Sequence, residues 1–157
     1  MIVILYNIRS SYNVGSIFRT ADGAGVEKIY LCGITPAPKD RFGNPNKKII
    51  KVSLGAEKNV AFEKINSAYR LILKLKKEGY KILALEQSES SQNIFKFKPR
   101  KKEKYALVLG GEVKGLPKSI LEKSDKILEI PQKGKKESLN VGVAFGIAVF
   151  YLSFFKI

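Results

Sequence analysis

Histidine is absent from this sequence, and cysteine occurs once, at position 32. Without histidine, a Ser-His-Asp or Cys-His nucleophile is excluded, and so is a zinc site built from both residue types. One thiol cannot form a disulfide framework, which fits a reducing compartment. The opening residues, MIVILYNIRS, lack the basic n-region and cleavage site of a secretory signal, so the expected location is the cytoplasm. Acidic residues are scarce: 14 Asp and Glu stand against 29 Lys and Arg, a formal charge of +15 on 157 residues. Such an excess favours a polyanionic partner. Nucleic acid comes before a membrane surface, because no basic amphipathic helix stands out. Internal repeats and an interdomain linker are also missing, so one domain over residues 1–157 is expected, with no appended RNA-binding domain.

What is present is an alternation of short apolar runs with helical periodicity. IVILYNI (2–8), KIYLCGI (28–34), KILALEQ (81–87), YALVLGG (105–111) and KILEIPQ (126–132) have strand length and the continuous hydrophobicity of strands buried on both faces. Between them, 14–25 places Ile17, Ala21 and Ala24 on one helical face. In 66–80, Ala68, Leu71, Ile72 and Leu75 line one face, and Gly79 ends the segment. The basic stretch 93–104 has little periodicity and reads as an edge segment or loop. Residues 139–155 read as a last helix, apolar nearly all round. It is short for a membrane span, and its Gly142 and Gly146 spacing suits close packing in a core or a dimer interface. The pattern predicts an α/β fold, a parallel sheet with helices on both faces.

Three segments could carry chemistry. LGGEVKGLP (109–117) follows a strand directly but matches neither the P-loop nor GxGxxG. Gly110 and Gly111 would let a ligand approach the backbone at the sheet edge where open α/β folds bind ligands, or they simply make a tight turn. In the second segment, NIRSSYNVGSIFRTADGAGV (7–26), Asn13 stands where a helix cap is favourable. Arg19 either snorkels to solvent or aims its guanidinium at a phosphate or oxyanion. In the third, IPQKGKKESLNVGVAFG (130–146), Ser138 is placed to cap the last helix. Asn140 then falls inside the first turn, where it needs another partner.

Taken together and in this order, the segments resemble the motifs of the SPOUT superfamily of RNA methyltransferases, specifically the SpoU/TrmH-type ribose 2′-O-methyltransferases. The first motif is similar to Asn13, Gly15, Arg19, Thr20 and Ala21, with Asn7 to Arg9 as its lead-in. The second resembles Gly110, Glu112, Gly115 and Leu116. The third resembles Ile130, Pro131, Gly134, Ser138, Leu139, Asn140 and Val141, and KVSLGAE (51–57) is similar to a further family segment. Gln132 stands where the family often has Met, and Gly142 where a second Ser is usual. The likeness extends over nearly the whole chain.

The resemblance implies a C-terminal trefoil knot and S-adenosylmethionine as cofactor. The cofactor would be held by Leu85, Gly110, Gly111, Ile130, Pro131, Ser138 and Leu139. It implies methyl transfer to a ribose 2′-hydroxyl of tRNA or rRNA, without a metal and without a covalent intermediate. Arg19, Asn13, Glu112, Ser138 and Asn140 would form the catalytic set. A guanidinium stays protonated in proteins, so the role implied for Arg19 is to orient the hydroxyl and stabilise the nascent oxyanion. Arg9, Lys133, Lys135 and Lys136 would bind RNA. Lys47, Lys48 and Lys51, and the cluster from Lys96 to Lys104, are either further RNA contacts or solvated faces. A homodimer is implied, with each site completed across the interface and no membrane involvement. Two rivals share the fold: base methylation, and a catalytically silent RNA-binding protein.

Overall fold

The computed structural model describes residues 1–155. In chain order the elements are β1 (Ile2–Tyr6), α1 (Ser11–Gly23), β2 (Lys28–Cys32), α2 (Lys47–Ser53), β3 (Ala61–Ile65), α3 (Ala68–Lys77), β4 (Tyr80–Leu85), β5 (Gln92–Asn93), β6 (Lys104–Gly110), α4 (Lys118–Leu121), β7 (Lys126–Glu129) and α5 (Val141–Phe154). The strands form one seven-stranded sheet in the order β3-β2-β1-β6-β4-β7-β5, and every neighbouring pair is parallel.

The central strands are buried on both faces, and the period of two divides their side chains between two cores. Val3, Leu5, Ile29, Leu31, Leu83, Leu107 and Leu109 face α1 and α5, which contribute Ile17, Phe18, Phe145 and Val149. Ile2, Ile4, Ile82, Ala84, Ala106 and Val108 face the other way, onto Leu71, Ile72 and Leu75 of α3 and Ile120 of α4. Each buried Val, Leu, Ile or Phe side chain among these stabilises the fold by about 1.5–3 kcal/mol. Helices therefore cover both faces, as the sequence pattern predicts. Cys32 is fully buried at the end of β2, and burial pushes its thiol up to about 12, so it is a core residue.

Several details differ from the sequence expectation. Helix α1 begins earlier: Ser10 is its cap, and the Ser10 hydroxyl accepts from the Asn13 backbone N–H at 3.2 Å. Asn13 thus lies in the first turn and its carboxamide is free for other partners. Helix α5 begins later. Its cap is Asn140, not Ser138, with Asn140 Oδ1 accepting from Gly142 N at 2.9 Å and Val143 N at 3.3 Å. The Asn140 carboxamide thereby satisfies two of the first backbone N–H groups of the helix. Strand β7 stops at Glu129, and only Leu128 in it is fully buried. Gly142 and Gly146 do pack closely, but within the chain. A Cβ at Gly142 would lie 3.4 Å from Ser16 Oγ, and one at Gly146 would lie 3.7 Å from the Thr20 methyl. The close approach is therefore α5 on α1, and these two glycines do not argue for a dimer.

No helix among the described residues is long and apolar enough to cross a membrane.

Candidate active site

The chain leaving β1 turns towards β2, whereas the chain leaving β6 crosses β4 to reach β7. The carboxyl ends of β1 and β6 therefore diverge, which opens a crevice of the kind where parallel α/β sheets bind ligands. Beside that crevice, a cleft of about 590 Å³ lies at the carboxyl ends of β6, β4 and β7. Leu85 and Glu86 from the end of β4, Leu109 to Gly115 from the end of β6, Glu129 and Ile130 from the end of β7, and Ser138 to Val141 at the start of α5 line it.

The backbone of the β6 loop is fixed by close approach. A Cβ at Gly110 would collide with the Gly115 backbone, and one at Gly111 with the Asn7 carbonyl. Gly115 adopts a left-handed φ of 61° against the Glu86 carboxylate, and its N–H donates to Gly111 O at 2.9 Å. Glu86 Oε2 accepts from Leu116 N at 2.8 Å, so the end of β4 clamps the loop that follows β6. Glycines at 110, 111 and 115 are thus required by contact distances, whatever binds beside them.

At one end of the cleft three polar side chains join. Asn13 Nδ2 donates to Glu112 Oε1 at 2.9 Å, and Asn140 Nδ2 donates to Asn13 Oδ1 at 3.1 Å. Glu112 Oε2 also accepts from the backbone N–H of Arg9 at 3.2 Å. Burial alone would raise the Glu112 carboxyl. Hydrogen bonds from Asn13, from its own backbone and from the Arg9 and Ser10 backbone outweigh burial and hold it below its ordinary value. Glu112 is therefore a fixed carboxylate at neutral pH. Asn13, Glu112 and Asn140 form a polar floor whose donors and acceptors are already oriented.

Of the seven residues expected to hold a cofactor, Leu85, Gly110, Gly111, Ile130, Ser138 and Leu139 line this cleft, and Pro131 does not. Of the catalytic set, Asn13, Glu112 and Asn140 are brought together, and Ser138 lies on the cleft wall. Arg19 is not part of this group. It sits on the exposed surface of α1, outside the cleft lining, and forms no ion pair with any described residue. Arg9 is exposed beside the floor, whereas Lys133, Lys135 and Lys136 are exposed on the loop between β7 and α5 and do not themselves line the cleft. Gly15 of the first motif is a packing residue, since a Cβ there would lie 2.6 Å from the Ile49 carbonyl of α2. The KVSLGAE segment closes α2, where Glu57 accepts from the Ser53 hydroxyl and from Gly55 N.

Sequence reasoning missed Glu86 and Glu129, which put two further carboxylates on the cleft wall of a chain with 14 acidic residues in all. The available signal was position. Glu86 directly follows β4, and Glu129 is the last residue of β7, both at carboxyl ends of parallel strands.

Comparison with known proteins agrees with the geometry. Residues 1–150 match the model of the SpoU rRNA Methylase family. A 23S rRNA (guanosine-2′-O-)-methyltransferase RlmB from Blochmanniella floridana is 33% identical over 150 residues, 96% of this chain and 56% of that protein. The Escherichia coli (strain K12) RlmB is 31% identical over 149 residues, 95% of this chain and 58% of that one. The chain thus spans somewhat over half the length of the curated relatives it matches. Among solved structures, the A. aeolicus TrmH/SpoU tRNA modifying enzyme superposes with a TM-score of 0.82 at 30% identity, covering 97% of this chain and 73% of that one. The AdoMet-bound rRNA methyltransferase from Sinorhizobium meliloti gives 0.86 at 27% identity, covering 96% and 54%. The parallel sheet, the glycine-shaped cleft and the Asn13–Glu112–Asn140 floor accordingly occur in a chain that belongs to the SpoU rRNA Methylase family.

Proposed function

We propose that this chain transfers a methyl group from S-adenosylmethionine to a ribose 2′-hydroxyl of tRNA or rRNA. The observation that carries the reading is the junction of the cleft with the Asn13–Glu112–Asn140 floor. One part suits a cofactor, and the other suits a polar acceptor beside it.

The cleft residues fit S-adenosylmethionine. Leu85, Leu109, Ile130, Leu139, Val141 and Ala144 offer apolar surface to an adenine ring, while Glu86, Glu112 and Glu129 offer carboxylates to a cationic ligand. That acidic lining is unusual on a surface of +15 and complements a sulfonium and an ammonium group. The cofactor, when bound, supplies an activated methyl group. The chain's own residues then hold and align the acceptor. Glu112, ionised and fixed, accepts a hydrogen bond from a ribose hydroxyl, and Asn13 and Asn140 keep it in place. The knotted course implied by the resemblance belongs to the same reading.

Arg19 takes part in this reading through a second copy of the chain. Val143, Phe150 and Phe154 of α5, and Tyr12 of α1, are exposed at 54%, 43%, 64% and 49%, and the Phe150 and Phe154 rings stack on one another. In a homodimer packed through these helices, the exposed Arg19 on α1 of one copy would serve the cleft of the other. The guanidinium then steadies the developing oxyanion, and Lys133, Lys135 and Lys136 bind the phosphate backbone without choosing sequence.

Equilibrium titration with S-adenosylmethionine tests the reading. We expect saturable binding at one site per chain, abolished in Gly111→Ala. A protein that binds RNA but takes no S-adenosylmethionine would instead be a silent RNA-binding relative.

A further inference from the structure

A second cavity, of about 290 Å³, opens on the other side of the Gly111–Gly115 loop. All five loop residues line both spaces, so the loop is a partition. It is braced at its base by the Gly115 to Gly111 hydrogen bond and by Glu86, and the carboxylate of Glu112 belongs to both sides.

The remaining walls differ from those of the cleft. Tyr6 and Pro117 supply flat apolar surface, together with Ile34. Ile34 is 60% exposed and Val113 on the partition 78% exposed, conspicuous for aliphatic side chains on a chain this charged. Arg9 and Lys114 bring cations to the same space. Asn7 is held rigidly: its backbone has a left-handed φ of 54°, and its Oδ1 accepts from Ile34 N at 3.0 Å. That bond commits the oxygen and leaves the NH₂ group as an oriented donor. A space of this size is below the range that takes whole cofactors and suits a single ring system.

We infer that this second cavity receives the base of the nucleotide whose ribose is methylated, an inference that rests on the methyltransferase reading above. Sequence-specific RNA recognition targets single-stranded loops whose bases are splayed from the stack, and a splayed base needs its own apolar seat with a few fixed polar groups. The partition supplies the geometry. The sugar lies at Glu112, between the two spaces; the base lies against Tyr6 and Ile34, with its edge read by Asn7; the flanking phosphates meet Arg9 and Lys114. This arrangement gives the chain a means of choosing a nucleotide that its lysine clusters lack.

The test is a nuclear magnetic resonance titration of ¹⁵N-labelled protein saturated with S-adenosylhomocysteine. Each of the four nucleoside 5′-monophosphates is added in turn, with ribose 5-phosphate as the baseless control. The Ile34 and Gly115 amides should shift with nucleotides and not with ribose 5-phosphate, and the best base should bind about fivefold or more tightly than the worst. Ile34→Trp, which fills the cavity mouth from an exposed position, should remove those shifts and leave S-adenosylhomocysteine affinity unchanged. Three results overturn the inference: no shift at these amides, the same shifts with ribose 5-phosphate, or shifts confined to residues 133–136. Failure to take up S-adenosylhomocysteine at the outset is distinguishable from these and overturns the methyltransferase reading along with the inference.

Discussion

Asn13 donates to Glu112 at 2.9 Å and accepts from Asn140 at 3.1 Å, so one carboxamide joins residues 99 and 127 positions away in the chain. Its two ends are not interchangeable. The NH₂ group must face the carboxylate, which forces the carbonyl towards Asn140 and makes Asn140 the donor. Asn140 in turn uses its own carbonyl to cap α5. The start of the last helix and the polar floor of the site are therefore one construction.

Substitutions at Asn140 should separate its two duties. Asn140→Ala removes the cap and should cost about 1 kcal/mol of stability. Asn140→Asp caps as well as asparagine but offers no donor to Asn13 and sets a second carboxylate near Glu112. It should unfold close to the wild-type temperature and lose more than about tenfold in turnover, as expected for a misplaced catalytic group. Thermal unfolding and single-turnover methyl transfer, measured on both variants, check the split.

Glu112 links stability to pH. Its folded carboxyl titrates below the ordinary glutamate value of 4.5, so its stabilising hydrogen bonds are fully present above that pH and are lost as pH falls through the lower folded value. The stability gap between wild type and Glu112→Gln should stay constant from neutral pH down to about 4.5 and narrow below it. Denaturant unfolding of both proteins across that acid range reads the effect directly.

Gly111→Ala should be severe, because the new methyl group meets the Asn7 carbonyl, which the sheet holds in place. We expect about 1–3 kcal/mol of destabilisation and loss of cofactor binding. Gly134→Ala has open space around it and should change stability by less than about 0.5 kcal/mol. Calorimetric titration and chemical unfolding of the two variants check the contrast.

The loop lysines should act through charge alone. Replacing Lys133, Lys135 and Lys136 together by Ala should lower the slope of log affinity against log salt by about 2 to 3 for RNA. Affinity for S-adenosylmethionine should not move. Filter binding over a salt series, beside a cofactor titration, measures both.

The central strands were legible because burial on both faces leaves an unmistakable apolar run, as in YALVLGG. Strand β3 was not, since AFEKI lies at the sheet edge with no fully buried residue and so carries no such run. The seven residues of α2 are too few to show a helical period. The choice between Ser138 and Asn140 as cap turned on which side chain reaches the Gly142 and Val143 N–H groups, which composition does not encode. The motifs grouped Arg19 with Asn13, whereas Asn13 joins the polar floor and Arg19 lies on the exposed surface of α1. Glu86 escaped because its role depends on β4 lying next to β6, a neighbour relation that chain order conceals.

Digestion of RNA after incubation with the protein and S-adenosylmethionine, followed by mass spectrometry of the nucleosides, tests the central claim most directly. Unmodified tRNA and rRNA pools are incubated separately, with wild type and with Arg19→Ala. The account predicts a gain in one 2′-O-methylated nucleoside from one pool, and a loss of more than about tenfold in Arg19→Ala with cofactor binding retained. Methyl groups found only on bases, or an Arg19→Ala protein as active as wild type, would contradict it.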